Sequence, residues 1–539
     1  MKVKEINLSS SAGFLEDYIS ERTGSECFLD YTFQEKDKFR RRSDELLSRS
    51  FKREQLADYF TKVHANLSYS EQANHQIVKL RKSNSVVVVG GQQAGLLTGP
   101  FYTVYKAMSI IALAKQQEEQ LNIPVVPIFW VAGEDHDLDE IRYVFKEKDG
   151  QWKKHMYAEN DPPQSASNVK LKHLELERWL NDVFASLPET NYTKSLLEKA
   201  KLIAAGSTTY VDFFIKTMNW FFGKEGLLFL DSHDPEIRNL EIPYFEKLIN
   251  DAEKLQIAQQ RGAQAFANAG YGTPIETDQS NAHLFLEIDN ERKRLDFEDN
   301  LFIAKGTNHT FTKENLLTLL HTNPNKFSNN VVTRPLMQEW LLPVIAFVSG
   351  PGELLYWATL KDVFQLFEMR IPPIIPRMHA TILPVHIEKW LAESNNEIEP
   401  FLEGRMEELR ENWLKQVNTY PINEVINEIK QSLNEKHLVL QQLANEMDPT
   451  LGSLTEKNAA IIEHQLSFIE QRMQQFVRQS HEQVLSKYNE TGKWLFPLNR
   501  PQERVLHPLI LLNMVGIDEF RRFLSYPVTL DRSHKAIYL

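Results

Sequence analysis

The 539-residue sequence predicts an α/β fold with a Rossmann-like parallel-sheet core, inserted connecting lobes and a long helical coiled-coil arm, and three observations predict it. First, Ser85-Val86-Val87-Val88-Val89 is a β-branched run too uniformly apolar for a half-exposed strand, and it runs straight into Gly90-Gly91. Second, a helical stretch and another apolar run, Val125–Val131, follow it. That is the order of a βαβ unit, whose right-handed crossover makes the two strands parallel. Third, from about residue 385 the apolar residues change to near-heptad spacing.

Taken in order, residues 1–84 read as short helices packing on the core, because charged, leucine-containing stretches at 36–47 and 53–63 keep helical periodicity. The core occupies 85–384. Pro100 opens a helix that reaches about Lys115, proline being tolerated where its missing N–H is not needed. Residues 138–145 read as a helix behind an acidic first turn. Further buried strands are expected at 227–230, 344–348 and 373–376, each near a helix end. Residues 283–288 and 292–297 flank Asp289-Asn290 as a hairpin inside an inserted lobe at about 260–325.

The arm spans 385–490. Ile426, Ile429, Leu433, Leu440, Leu443 and Met447 form one stripe and Ile462, Leu466, Ile469, Met473 and Phe476 another, with a turn at 448–453. A preceding helix carries Leu402, Met406, Leu409 and Trp413. These stripes exceed what a solvent-exposed hairpin should carry, so the arm is expected to form a homodimer. Residues 491–539, whose prolines break the pattern, are expected to return to the core.

Composition narrows the function. The formal charge of −12 disfavours a general nucleic-acid or anionic-membrane surface, so anionic ligands need a local basic pocket. The single cysteine, Cys27, can form no internal disulfide and no Cys-based zinc site, which fits a reducing compartment. Neither an apolar signal core nor a run of ~18 apolar residues is present, and a cytoplasmic location without membrane partners is expected.

Three segments can carry chemistry, each after a buried strand where the carboxyl ends of parallel strands share one edge. In Gly90-Gly91-Gln92-Gln93-Ala94-Gly95-Leu96-Leu97-Thr98-Gly99-Pro100 the candidates are Gln92, Gln93, Gly95, Thr98 and Gly99, joined by Tyr102 and Lys106 on the following helix. The loop is neither a Walker phosphate loop nor a GxGxxG fingerprint, because Leu96-Leu97 fill the Lys-Ser/Thr slots. Gly133-Glu134-Asp135-His136-Asp137 sets four ionisable side chains after an apolar strand, so Glu134, Asp135, His136 and Asp137 are the candidate acid-base group. No resident metal is assigned, although carboxylates there can hold Mg²⁺. The third segment supplies Ser349, Gly350, Gly352, Glu353 and Tyr356, flanked by the cations Arg334 and Arg377. Asp234, before Pro235, reads as a helix cap. Lys493, Trp494, Phe496 and Arg504 are a second candidate nucleotide site, with rings for a purine and cations for phosphates.

The motifs Gly91-Gln92-Gln93-Ala94-Gly95-Leu96-Leu97-Thr98-Gly99-Pro100-Phe101-Tyr102-Thr103, Trp130-Val131-Ala132-Gly133-Glu134-Asp135-His136-Asp137 and Gly350-Pro351-Gly352-Glu353-Leu354-Leu355-Tyr356-Trp357 closely resemble those of the bacillithiol biosynthesis cysteine-adding enzyme family. The resemblance implies the last step of bacillithiol synthesis, joining the carboxyl of L-cysteine to the glucosamine amine of glucosaminyl-malate. It also implies a core related to class I aminoacyl-tRNA synthetases, a dimerising coiled coil, and ATP as activator. On this reading the 92–99 loop cradles nucleotide or substrate, His136 or Asp137 takes the amine proton, and Arg377 or Arg334 holds the malate carboxylates. Two other classes stay open at this point: a metal-dependent hydrolase built on Glu-Asp-His-Asp, and a non-enzymatic nucleotide-binding scaffold.

Overall fold

A computed structural model of the chain describes residues 2–8, 13–22, 24–157, 164–276, 278–528, 530–531 and 533–539. The chain divides into two compact units, Met1–Ile382 with Gln502–Leu539, and Leu383–Pro501.

The first unit is built on five parallel strands in the spatial order Ile374–Pro376, Val344–Ser349, Val86–Gln92, Val125–Val131 and Leu228–Asp231. Numbered along the chain this is 5-4-1-2-3, the doubly wound order in which the crossovers leave the first strand in opposite directions. The three later strands lie within a residue of where their apolar runs place them. Val86 to Val89 are all but inaccessible, and each buried valine contributes about 1.5–3 kcal/mol. Pro100 sits just ahead of the helix Phe101–Leu121, which continues past Lys115 because burial continues to Gln117. It stops where Asn122 adopts φ 54°, a left-handed turn that asparagine tolerates.

The inserted lobe is an antiparallel sheet in the order Thr310–Thr312, Leu301–Ala304, Glu291–Glu298, Asn281–Ile288, Phe327–Asn329. Its central hairpin turns at Asp289 and Asn290, with φ 52° and 62°. Two successive positive φ values mark the turn whose twist matches the flanking strands.

Two stretches differ from expectation. Residues 138–145 are not a helix. A short 3-10 turn at Leu138–Glu140 leads into the strand Tyr143–Lys148, paired with Gln151–Met156. The reason is Asp149-Gly150, whose φ of 54° and 75° close a tight hairpin, together with the strand-favouring Tyr143-Val144-Phe145. The other is the N-terminal segment, which is not purely helical. Lys2–Ile6 pairs antiparallel with His534–Tyr538, and that strand in turn with His379–Leu383.

The second unit contains the helices Met406–Val417, Ile422–Met447, Pro449–Ser480 and Glu482–Leu495. The two longest turn at Asp448, whose side chain accepts from the Thr450 N–H at 2.7 Å. Ile426 is buried in this single chain, whereas Leu440, Leu443, Met447 and Phe476 remain exposed. Among the described residues no helix is long and apolar enough to cross a membrane.

Candidate active site

The crossovers diverge between Val86–Gln92 and Val344–Ser349, and a cleft of about 570 Å³ opens at the carboxyl ends of these strands. This is where ligands of open α/β sheets collect. Gly91, Gln92 and Gln93 line it from one strand end and Gly350 to Glu353 from the other. Tyr102 and Lys106 reach it from the helix Phe101–Leu121, Arg334 and Gln338 from Thr333–Leu341, and Asp135 and Glu140 from the segment after Val125–Val131. Of the rings at its lining, Tyr356 is half-buried, while Trp130, Phe347 and Trp357 are packed into the core beneath it. Two glycines have different reasons to be there. A Cβ on Gly91 would stand 2.6 Å from the Trp130 carbonyl oxygen, so strand packing requires glycine; a Cβ on Gly352 would meet open space.

The charges divide into those already engaged and those facing the cleft. The buried Lys106 ammonium donates to the Gly91 carbonyl at 2.6 Å, Glu353 Oε2 at 2.5 Å and Gln92 Oε1 at 3.3 Å. Burial pulls its pKa down, and Glu353 opposes that. The same Glu353 oxygen accepts from the Gly350 N–H at 2.6 Å, capping its own short helix. Glu140 accepts from Gln93 Nε2 at 2.7 Å. Arg377 is engaged in a two-pronged pair with Glu503, at 2.7 and 3.0 Å, with His379 on the same carboxylate at 2.9 Å. Despite burial, the Arg377 guanidinium and the His379 hydrogen bond hold the Glu503 carboxyl well below the usual range. Arg334 makes one 3.3 Å hydrogen bond, to the Tyr356 hydroxyl, and stands 4.0 Å from Asp135. Arg504 is exposed at the rim, with no ion pair among the described residues. The Asp135 carboxylate accepts no hydrogen bond from the described residues; its nearest cations are Arg292 at 3.9 Å and Arg334 at 4.0 Å.

Several expected site residues lie elsewhere. Glu134 is 1% exposed and paired with Arg238, which also holds Glu241. The Asn329 N–H donates to the same Glu134 oxygen at 3.1 Å, so Glu134 is a structural carboxylate. His136 does not line the cleft, and its Nδ1 lies 3.0 Å from Arg292 of the lobe hairpin. Asp137 is exposed and makes no side-chain cap. Gly95, Thr98 and Gly99 form a buried turn away from the cleft: Gly99 has φ 70°, and a Cβ on Gly95 would press within 3.0 Å of Gly99. Ser349 is fully buried and does not line the cleft. Of the second candidate nucleotide site, Arg504 lines the cleft of the first unit, and Lys493, Trp494 and Phe496 belong to the second unit. Phe496 packs against Gly404 there. Asp234 caps its helix, accepting from the Glu236 N–H at 2.8 Å. Among the described residues no group of three or more His, Cys, Asp or Glu is placed to hold a metal.

Beside the cleft, at the end of Leu228–Asp231, burial pushes the Asp231 carboxyl up to about 6 against hydrogen bonds from the His233 N–H (3.0 Å) and Ser167 Oγ (2.9 and 2.8 Å). The folded value exceeds the unfolded one. The contribution to stability is therefore present below pH ~4 and lost as pH rises through 6, a drop of at most about 3 kcal/mol for this half-buried group. Asp231→Asn is expected to remove that component. Denaturant unfolding from pH 4 to 7 checks it, since parallel pH profiles for the two chains would contradict the assignment.

A family model described as bacillithiol biosynthesis BshC, N-terminal Rossmann-like domain, matches residues 1–378, and the corresponding C-terminal coiled-coil domain matches residues 380–539. Proteins named "Putative cysteine ligase BshC" are similar over their full lengths and that of this chain. The protein from Shouchella clausii is 45% identical over 540 residues, that from Halalkalibacterium halodurans 41% over 539, and that from Bacillus cereus 37% over 541.

Proposed function

The chain belongs to the bacillithiol biosynthesis BshC family, and from that membership we propose that it is the amide-forming ligase that adds L-cysteine to glucosaminyl-malate, in the cytoplasm. The observation that carries the placement of this reaction is the cleft at the strand crossover. There Arg334 and Arg504 line the cleft and Asp135 stands without a hydrogen-bond partner among the described residues. A carboxylate and an ammonium do not condense unaided. The cysteine carboxylate attacks the α- or γ-phosphorus of ATP, giving an acyl-adenylate with pyrophosphate leaving or an acyl-phosphate with ADP leaving; the glucosamine amine then attacks the carbonyl carbon, and AMP or phosphate leaves with the C–O bonding pair.

Each residue then has a chemical task. Arg334 and Arg504 receive the malate carboxylates or the nucleotide phosphates, because Arg377 is already spent on Glu503. Asp135 takes the proton lost by the attacking amine. The half-buried Tyr356 ring offers an apolar face to sugar or purine. Mg²⁺ would arrive with the phosphates rather than on a preformed set of carboxylates. A hydrolase built on Glu-Asp-His-Asp is disfavoured, since Arg238 engages Glu134 and Arg292 engages His136. The exposed stripe around Leu440, Leu443 and Phe476 supports a homodimer through the helical unit. Purified protein incubated with cysteine, glucosaminyl-malate and ATP, analysed by mass spectrometry, tests the reading. Bacillithiol with stoichiometric AMP or ADP is expected, and nucleotide turnover without amide would overturn it.

A further inference from the structure

Arg292 lies in the inserted lobe, far along the chain from the three motifs, yet its guanidinium reaches the acidic segment at the cleft. Its side chain is 6% exposed and fully engaged. Nε donates to Ser328 Oγ at 2.8 Å, one terminal nitrogen donates to the Asn329 carbonyl at 2.5 Å, and the Phe285 ring lies 3.9 Å from the guanidinium carbon. The other terminal nitrogen stands 3.0 Å from His136 Nδ1 and 3.9 Å from Asp135.

A guanidinium carries donors only, so the imidazole nitrogen facing it has to accept. We propose that Arg292 is a positioning residue of the cleft: it fixes His136 as the neutral tautomer with the proton on Nε2 and, opposite Arg334, brackets the Asp135 carboxylate. Burial and Arg292 both lower the His136 pKa, and Asp135 and Asp137 oppose them less strongly. The lobe thereby reports its seating to the cleft through one side chain, and His136 serves as a hydrogen-bond donor rather than as a base. The tautomer assignment stands by itself; only its catalytic consequence rests on the ligase reading.

Long-range proton–nitrogen correlation on the full-length chain labelled with ¹⁵N-histidine tests this, with His136 identified by the signals lost in His136→Gln. In the parent chain one protonated and one unprotonated ring nitrogen are expected, unchanged from pH 8 to 6. In Arg292→Met the two are expected to average and to titrate upward toward the ordinary histidine value. Arg292→Lys, which keeps a donor, is expected to restore the fixed tautomer in part. With the ligase assay, Arg292→Met lowers kcat by about a hundredfold, the order expected for a misplaced catalytic group, with KM for cysteine little changed. A parent His136 that already exchanges tautomers, or that is protonated at pH 6.5, overturns the proposal. So does a parent chain whose fixed proton sits on Nδ1, or an Arg292→Met chain whose His136 signals match the parent's. Expected signals in a chain that makes no amide would leave the positioning role intact and count against the ligase reading instead.

Discussion

Asp135→Asn is expected to lower the rate of amide formation by about 10²–10⁴-fold with folding retained, because it removes the cleft carboxylate that, in the proposed mechanism, takes the amine proton, while keeping the side-chain volume. Its carboxylate makes no hydrogen bond to the described residues and meets two guanidiniums only at 3.9 and 4.0 Å, so the loss in stability should stay within about 1 kcal/mol. Asp137→Asn is the internal control. That residue belongs to the same acidic run, but it is exposed and does not line the cleft, so its rate should stay within about twofold of the parent. Steady-state kinetics on the two variants, with thermal unfolding alongside, separates a cleft carboxylate from a generally acidic surface. Equal losses in both would contradict the assignment.

The largest effect on stability is expected from Arg238→Met. The guanidinium is inaccessible and pairs with both Glu134 and Glu241, themselves 1% exposed or less. Burial pushes the Glu241 carboxyl up to about 8, against the pull of Arg238, and the nearby Glu134 adds to the rise. Removing the cation leaves two buried carboxyl groups without the donor they share, and the expected cost is about 3–5 kcal/mol. Adding Glu241→Gln to Arg238→Met should recover part of that loss, since one of the two buried acids left without a donor is then replaced by an amide. Urea unfolding at pH 7 measures both; a loss below about 1 kcal/mol for Arg238→Met would show that the network is wet rather than buried.

Local signals made much of the fold legible. Four consecutive valines before Gly-Gly can be little else than a strand buried on both faces, and Asp289-Asn290 between alternating residues announces its own turn. The same logic was available at Asp149-Gly150, where the acidic run 133–140 suggested a capped helix instead; the turn dipeptide and Tyr143-Val144-Phe145 were the stronger signal. Strand-end reasoning brought Gln92, Asp135 and Gly350 to one edge, and the cleft is lined by all three. It could not tell which member of Glu134-Asp135-His136-Asp137 faces the cleft. That depends on partners 100 or more residues away: Arg238 for Glu134 and Arg292 for His136. Arg377 was a reasonable free cation by sequence, and only the fold brings Glu503 against it. Gly95 and Gly99 were legible as a turn but not as a buried one, because burial there comes from Leu96 and Leu97 packing into the core.

The most direct test of the central claim, that amide formation takes place in this cleft, is the bacillithiol-forming rate of a chain carrying Gly352→Trp. Gly352 lines the cleft, is exposed, and has nothing within 4 Å of where its Cβ would stand, so an indole can be built there without disturbing the core. The ring would fill roughly a third of the space that substrate needs. The account predicts an unfolding temperature close to the parent's, a nearly normal rate for Gly352→Ala, and a rate for Gly352→Trp at least about a hundredfold lower. A Gly352→Trp chain that makes bacillithiol at the parent rate would place the chemistry somewhere else in the molecule.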